Sequence, residues 1–196
     1  MIFTQEFMEP LFKALERCKG LEQREDHHPE RDVLEHCLQT FHAACRESVD
    51  IDLILAALLH DVGKAVEPYG HEDYSVDILS AHLTPKALWL IKNHMRVWMY
   101  LDGSMRKLSK VKELSGHPWF SDLVCLARFD KMGRNPNKKT VYDRQAIIDR
   151  LNQCVADRFV ENTRRTEAPK NFAPKRTPDA PKTGKVADRA DEKSIG

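Results

Sequence analysis

Residues 51–73 read IDLILAALLHDVGKAVEPYGHED. The run from Ile51 to Leu59 is apolar on nearly every side, which predicts a helix at the buried centre of a bundle rather than a surface helix with one greasy stripe. Asp50 stands where its N-cap belongs. The helix ends in His60-Asp61, Gly63-Lys64 follow, and a second histidine–carboxylate pair, His71-Glu72, arrives soon after. Imidazoles and carboxylates at the end of a buried helix are costly unless they are paired or bound to a metal. The stretch therefore calls for partners elsewhere in the chain.

Outward from it, almost every periodic segment reads as helix. Residues 31–46 set Leu34, Cys37, Leu38, Phe41, Ala44 and Cys45 on one face, with Pro29 just upstream. A shorter helix is predicted over 72–82. Thr84-Pro85 caps and starts KALWLIKNHM, with His94 at its end. Ser104 is placed to cap a short basic helix through Leu114, and Pro118 to start WFSDLVCLARFDKMG. After a polar loop at 135–140, residues 141–160 carry Val141, Ile147, Ile148, Leu151, Val155 and Phe159 on an amphipathic helix. No strand pattern and no internal repeat are visible. The expected fold is all-α, a bundle of about seven helices over residues 1–160. Residues 161–196 hold four prolines, one aromatic and scattered charges of both signs, and are expected to be a disordered tail.

The totals narrow the function classes. The 196-residue chain is 41% hydrophobic and 31% charged with a net charge of +1, enough for one core and no global pull toward nucleic acid or membrane. No segment reaches the roughly 18 apolar residues of a membrane span, and the N-terminus lacks a signal-peptide pattern. The five scattered cysteines include no C-x-x-C pair and read as reduced core thiols of a cytoplasmic protein. No GxSxG motif and no P-loop are present.

Nine histidines are many for this length, and their placement matters more than their number. His36, His60, Asp61, His71, His94 and Asp130 each sit beside residues expected to face the core. Taken singly, each has an ordinary reading as a satisfied core histidine or a hydrogen-bonding carboxylate. A metal site resolves all of their burial costs together. Imidazoles and carboxylates without clustered thiols suit Mn, Fe, Co, Ni, Zn or Mg rather than a structural thiolate zinc.

His36, then His60-Asp61 in HDVGK, His71, His94 and a late Asp130 resemble the HD-domain superfamily of metal-dependent phosphohydrolases. HPERDVLEH (28–36), Gly70-His71-Glu72 and Asp130 to Arg134 are most similar to the HD domains fused to bacterial tRNA nucleotidyltransferases. The resemblance covers roughly residues 27–135, without a nucleotidyltransferase head, so a stand-alone HD protein is expected. It implies two divalent ions. His36, His60, Asp61 and Asp130 would bind the first, and Asp61 would bridge to a second completed by His71 and His94. A hydroxide held between the ions would be the nucleophile. Asp61 and Lys64 are thus the candidate catalytic residues. Lys64, Arg96 and Arg134 are the candidate phosphate contacts, and Glu72 a candidate for orienting His71.

The implied activity is a phosphodiesterase or phosphatase, including 2′,3′-cyclic phosphodiesterase, acting on a nucleotide or an RNA-terminal phosphate. Its partner is a small phosphorylated molecule, with nucleic acid a further candidate. Two alternatives remain open at this point: a di-iron oxygenase, since relatives such as inositol oxygenase use the same ligand set, and a non-catalytic metal- or nucleotide-binding regulator. The basic helix carrying Arg106, Lys107, Lys110 and Lys112 reads as a solvated face, with fencing of a polyanion as the second choice.

Overall fold

The computed structural model describes residues 2–167. Among the described residues eight α-helices follow one another: α1 (Gln5–Glu16), α2 (Val33–Glu47), α3 (Ile51–Leu59), α4 (His71–Leu79), α5 (Pro85–Leu101), α6 (Leu108–Ser115), α7 (Phe120–Met132) and α8 (Arg144–Glu167), with a 3-10 turn, Val62–Ala65, between α3 and α4. The all-α class is as expected. The helix beyond the expected seven is α1, which buries Met8, Leu11, Phe12 and Leu15 and packs against α8. Helix α8 runs on to Glu167, and the rest of the expected tail lies outside the described residues. None of the described helices is long and apolar enough to cross a membrane.

Helix α3 is the centre. It is buried from Leu53 to Leu59 and packs against α2, α5 and α7, so an all-round apolar sequence has neighbours on every side. The cap falls where the sequence puts it: the Asp50 carboxylate accepts from the Leu53 N–H at 3.1 Å and from Lys86 Nζ at 2.8 Å. Burial favours the neutral form of Asp50, but Lys86 and the Leu53 N–H outweigh it and hold its pKa below the usual 3.8. The cap is therefore in place above that value and is lost as pH falls through the lowered one. Asp50→Ala is expected to cost about 1–2 kcal/mol, a fall of roughly 2–8 °C in thermal midpoint, because it frees one end of the element that carries His60 and Asp61. An unchanged melting curve would refute that.

Other boundaries differ from expectation for identifiable reasons. Helix α2 starts at Val33, capped by Asp32 rather than initiated at Pro29: the Asp32 carboxylate accepts from Glu35 N–H at 2.9 Å and from Gly20 N–H at 2.7 Å. Helix α5 continues past His94, since nothing breaks it before Asp102-Gly103, where Gly103 takes φ 77°. Ser104 does not cap α6; its N–H donates to Asp102 and its hydroxyl donates to Met99 O, so it belongs to the turn after α5. Val141 lies outside α8 and is 85% exposed, and Phe159 is 75% exposed, so the apolar face of α8 is the shorter one of Ile147, Ile148, Leu151, Cys154 and the half-buried Val155. All five thiols are free, four of them buried.

Between α1 and α2 the chain folds back on itself. Glu22 and Asp32 form an isolated antiparallel bridge, with Gln23 N–H donating to Arg31 O at 2.6 Å and Val33 N–H to Leu21 O at 3.1 Å. This loop matters because it walls the site below.

Candidate metal centre

Six buried side chains from five helical segments converge. His60 is the C-cap of α3 and Asp61 follows it; His71 is the first residue of α4; His94 lies mid-way along α5; His36 and Asp130 come from α2 and α7. None is more than 4% exposed. The sharp return from Asp61 to His71 is possible because Gly63 packs against α4: a Cβ there would lie 2.0 Å from His71 O and 2.6 Å from Ser75 N. Ser75 locks the corner, its hydroxyl donating to His60 O at 2.9 Å and accepting from Gly63 N–H at 2.8 Å.

The six form two triads with Asp61 between them. His36, His60 and Asp130 make one, Asp61, His71 and His94 the other, with ligand-type atoms within 4.8 Å of one another in each. Asp61 Oδ2 is 3.8 Å from His36 Nε2 and 3.5 Å from His60 Nε2, while its Oδ1 is 2.9 Å from His71 Nε2 and 3.4 Å from His94 Nε2. Asp130 Oδ1 is 3.2 Å from His36 Nε2. One carboxylate thus presents one oxygen to each group.

The chemistry of the donors fits divalent cations. Each imidazole has its Nδ1 beside an acceptor: His60 to Ala57 O at 3.1 Å, His71 to Pro68 O at 3.0 Å, His94 to Ile91 O at 2.6 Å, and His36 to Glu30 Oε1 at 2.8 Å. With Nδ1 carrying the proton, every Nε2 turns a lone pair toward the centre. Yet Nε2 of His36 and His60 lie 3.2 Å apart, and those of His71 and His94 3.0 Å apart. Two lone pairs at that separation need a cation or an extra proton between them. Burial opposes charge on His36, but Asp130 and Glu30 outweigh it and hold its pKa up at about 9. Burial pushes His60 the other way, down to about 3. Asp61 and Asp130 are held well below the carboxylate range despite burial, Asp61 chiefly by His60 and Lys64, Asp130 chiefly by His36. The carboxylates are anionic and a positive charge is wanted.

Four of the six, Asp61, His71, His94 and Asp130, line a cavity of about 640 Å³ walled by the loop before α2, by Pro68 and Tyr69, and by Met95 and Trp98 of α5; His36 and His60 are not part of its lining. Lys64 and Arg134 both line it. Lys64 Nζ donates to Asp61 Oδ2 at 2.7 Å and Gln23 Oε1 at 2.6 Å. Arg134 donates from Nε and Nη2 to Asp130 Oδ1 and from Nη1 to His27 O, leaving two of its five N–H groups.

Two other expectations meet different geometry. Arg96 does not line the cavity. Two helical positions past His94 it points away, its guanidinium bonded to Asn93 and Glu113. Glu72 does not orient His71; the Pro68 carbonyl does, with Glu72 Oε2 3.9 Å from Nδ1. The basic residues Arg106, Lys107, Lys110 and Lys112 are exposed and none lines the cavity, in keeping with the solvated face expected of them.

The HD domain family model matches residues 33–192, most of the chain and all six converging residues. The chain belongs to the HD domain family. Over 78 residues this HD protein is 40% identical to the Multifunctional CCA protein of Thioalkalivibrio sulfidiphilus, a match covering 36% of this chain and 19% of that protein. It is 35% identical over 81 residues to the Multifunctional CCA protein of Acinetobacter baylyi, covering 41% and 18%. It is 38% identical over 58 residues to that of Acinetobacter baumannii, covering 30% and 14%. The chain spans less than a fifth of the length of these relatives.

Sequence reasoning passed over two groups that the HD fold brings to the centre. Trp98 donates its indole N–H to Asp130 Oδ2 at 3.1 Å and lies under the Arg134 guanidinium, 5.4 Å from the ring centroid. Its spacing of one helical turn from His94 was the available signal. Glu30 and His28, in the HPERD stretch, sit behind His36: Glu30 Oε1 accepts from His28 Nδ1 at 2.9 Å as well as from His36.

Proposed function

We propose that this HD protein is a metal-dependent phosphohydrolase, a phosphodiesterase or phosphatase acting on a nucleotide or an RNA-terminal phosphate. The observation that carries this is the division of Asp61 between two imidazole groups, at a cavity that Lys64 and Arg134 also line. In this reading His36, His60, Asp61 and Asp130 hold one divalent ion, and Asp61, His71 and His94 a second. Two such ions, when bound, supply an activated water near neutral pH and offset charge on the phosphoryl oxygens.

The chain's own groups do the rest. Asp61 keeps the two groups in register by offering an oxygen to each. Lys64 and Arg134 meet phosphoryl oxygens at the cavity wall, Lys64 as a point charge and Arg134 with its remaining N–H groups. Leu21, Val33, Met95 and Trp98 make the rest of the wall largely apolar and limit the water around the reacting phosphate. The likeness to Multifunctional CCA proteins, with the sequence resemblance to the HD domains of tRNA nucleotidyltransferases, supports a nucleotide or RNA end as substrate.

The test is release of phosphate and nucleoside from a panel of nucleoside monophosphates, 2′,3′-cyclic nucleotides, dNTPs and alarmones with Mn²⁺, Co²⁺, Ni²⁺ or Mg²⁺. Metal-dependent turnover abolished by a chelator is the expected result. Silence across the panel, together with bound iron and O₂ uptake, would replace the hydrolase with an oxygenase.

A further inference from the structure

The Glu30 carboxylate occupies a place that costs the fold in three ways. It is 2% exposed, so an anion has been taken out of water. Its Oε2 is buried and has no hydrogen-bond partner among the described residues, so only half of the carboxylate is satisfied. The residue after it, Arg31, takes φ 67°, a left-handed conformation that side chains other than glycine and asparagine seldom adopt. Loop strain, a buried charge and an orphaned oxygen in two successive residues need an offsetting contact.

That contact is His36. Glu30 Oε1 lies 2.8 Å from His36 Nδ1, nearer than the one other acceptor there, Gly133 O at 3.3 Å. The same oxygen accepts from His28 Nδ1, and the two rings meet edge to face with centroids 4.8 Å apart. His28 thereby braces the carboxylate from the cavity side, where His28 itself forms part of the wall. A carboxylate on the far nitrogen of a metal-ligating imidazole fixes its tautomer and ring orientation and raises its basicity.

We propose that Glu30 is a positioning residue that fixes His36 as a ligand and so sets the affinity of one metal position, the one that His36, His60 and Asp130 form with Asp61. This rests on the role given to His36 under the proposed function. It goes beyond the family assignment, because Glu30 and His28 lie upstream of the matched residues. At the other position His71 and His94 take their outer contacts from main-chain carbonyls and Asp61 takes its own from Lys64, so Glu30 supports none of the three directly. The loop between α1 and α2 is therefore part of one metal position and not of the other.

The experiment is titration of metal-stripped full-length protein with Mn²⁺ against a competing chelator, wild type beside Glu30→Gln, with melting of the stripped proteins alongside. Glu30→Gln is expected to weaken one of two binding steps ten- to hundredfold and leave the second within about twofold. A purely structural role would instead lower the melting temperature of the stripped protein and shift both steps together, which overturns the proposal, as do two unchanged steps. Wild-type protein that takes up no divalent ion overturns the metal reading and this proposal with it. Wild-type binding without turnover removes only the hydrolase. Should Glu30→Gln fail to fold, ¹H–¹⁵N spectra of Zn²⁺-loaded wild type decide: a protonated Nδ1 on His36 supports the proposal, and a protonated Nε2 overturns it.

Discussion

Asp61→Ala is expected to take up fewer divalent ions than wild type and to lose turnover by about a thousandfold or more. The expectation follows from the two oxygens of this carboxylate, which point at different histidine pairs: Oδ2 toward His36 and His60, Oδ1 toward His71 and His94. Removing any other member of the six strips one group; removing Asp61 strips both and takes away the charge they share. The loss corresponds to several kcal/mol of transition-state stabilisation. Ion content by elemental analysis and initial rates on the best substrate of the panel give the result directly. Asp61→Asn, which keeps the shape of the side chain, separates lost charge from a collapsed pocket. If Asp61→Ala retained wild-type rates, neither triad would be the reacting centre.

Gly63→Ala carries the second large effect, and it acts through the backbone. The added methyl would sit 2.0 Å from a main-chain carbonyl, 2.6 Å from a main-chain nitrogen and 2.8 Å from the Ser75 hydroxyl. No side chain can rotate away to relieve the first two contacts, so the 3-10 turn and α4 must part. A cost of about 3 kcal/mol, the upper end for overpacking, is expected. The parting also carries His71 away from His94, now 3.0 Å distant. The variant should therefore melt several degrees lower and lose the ion of the Asp61, His71 and His94 group before the other. Calorimetry with ion counting checks both halves. Wild-type stability and wild-type ion content would show that the two segments are not in the contact described.

The two substitutions separate what this sequence shows by itself from what it does not. The all-α class was legible from the helical periodicity of nearly every segment, and the centrality of α3 from Ile51 to Leu59, because a helix apolar all round and too short to span a membrane is buried in a core. The Asp50 and Thr84 caps were legible for the same local reason, a side-chain oxygen two or three residues before an unpaired N–H. The six converging residues were legible as a set because burial of so many imidazoles and carboxylates is unaffordable unless they share a charge. Gly63 was visible within HDVGK, but the reason for it was not, since its neighbours are main-chain atoms of α4.

What only the tertiary structure decided concerns direction and distance. Arg96 and Trp98 both follow His94 within about one turn; helix phase sets them on different faces, but only the packing of α6 and α7 gives Arg96 its partner Glu113 and Trp98 its partner Asp130. Asp61 was a plausible shared ligand in sequence, yet which oxygen faces which histidine depends on how α4 and α5 pack against α3. In sequence Glu30 stood only as one letter of the HPERD stretch, with no role of its own. It is buried because a bridge from Glu22 to Asp32 and a left-handed residue at Arg31 turn it inward against His36. Sequence fixes periodicity and caps because these are decided within a turn or two of the chain. The partners of a loop carboxylate are decided by contacts across the bundle, which no local pattern encodes.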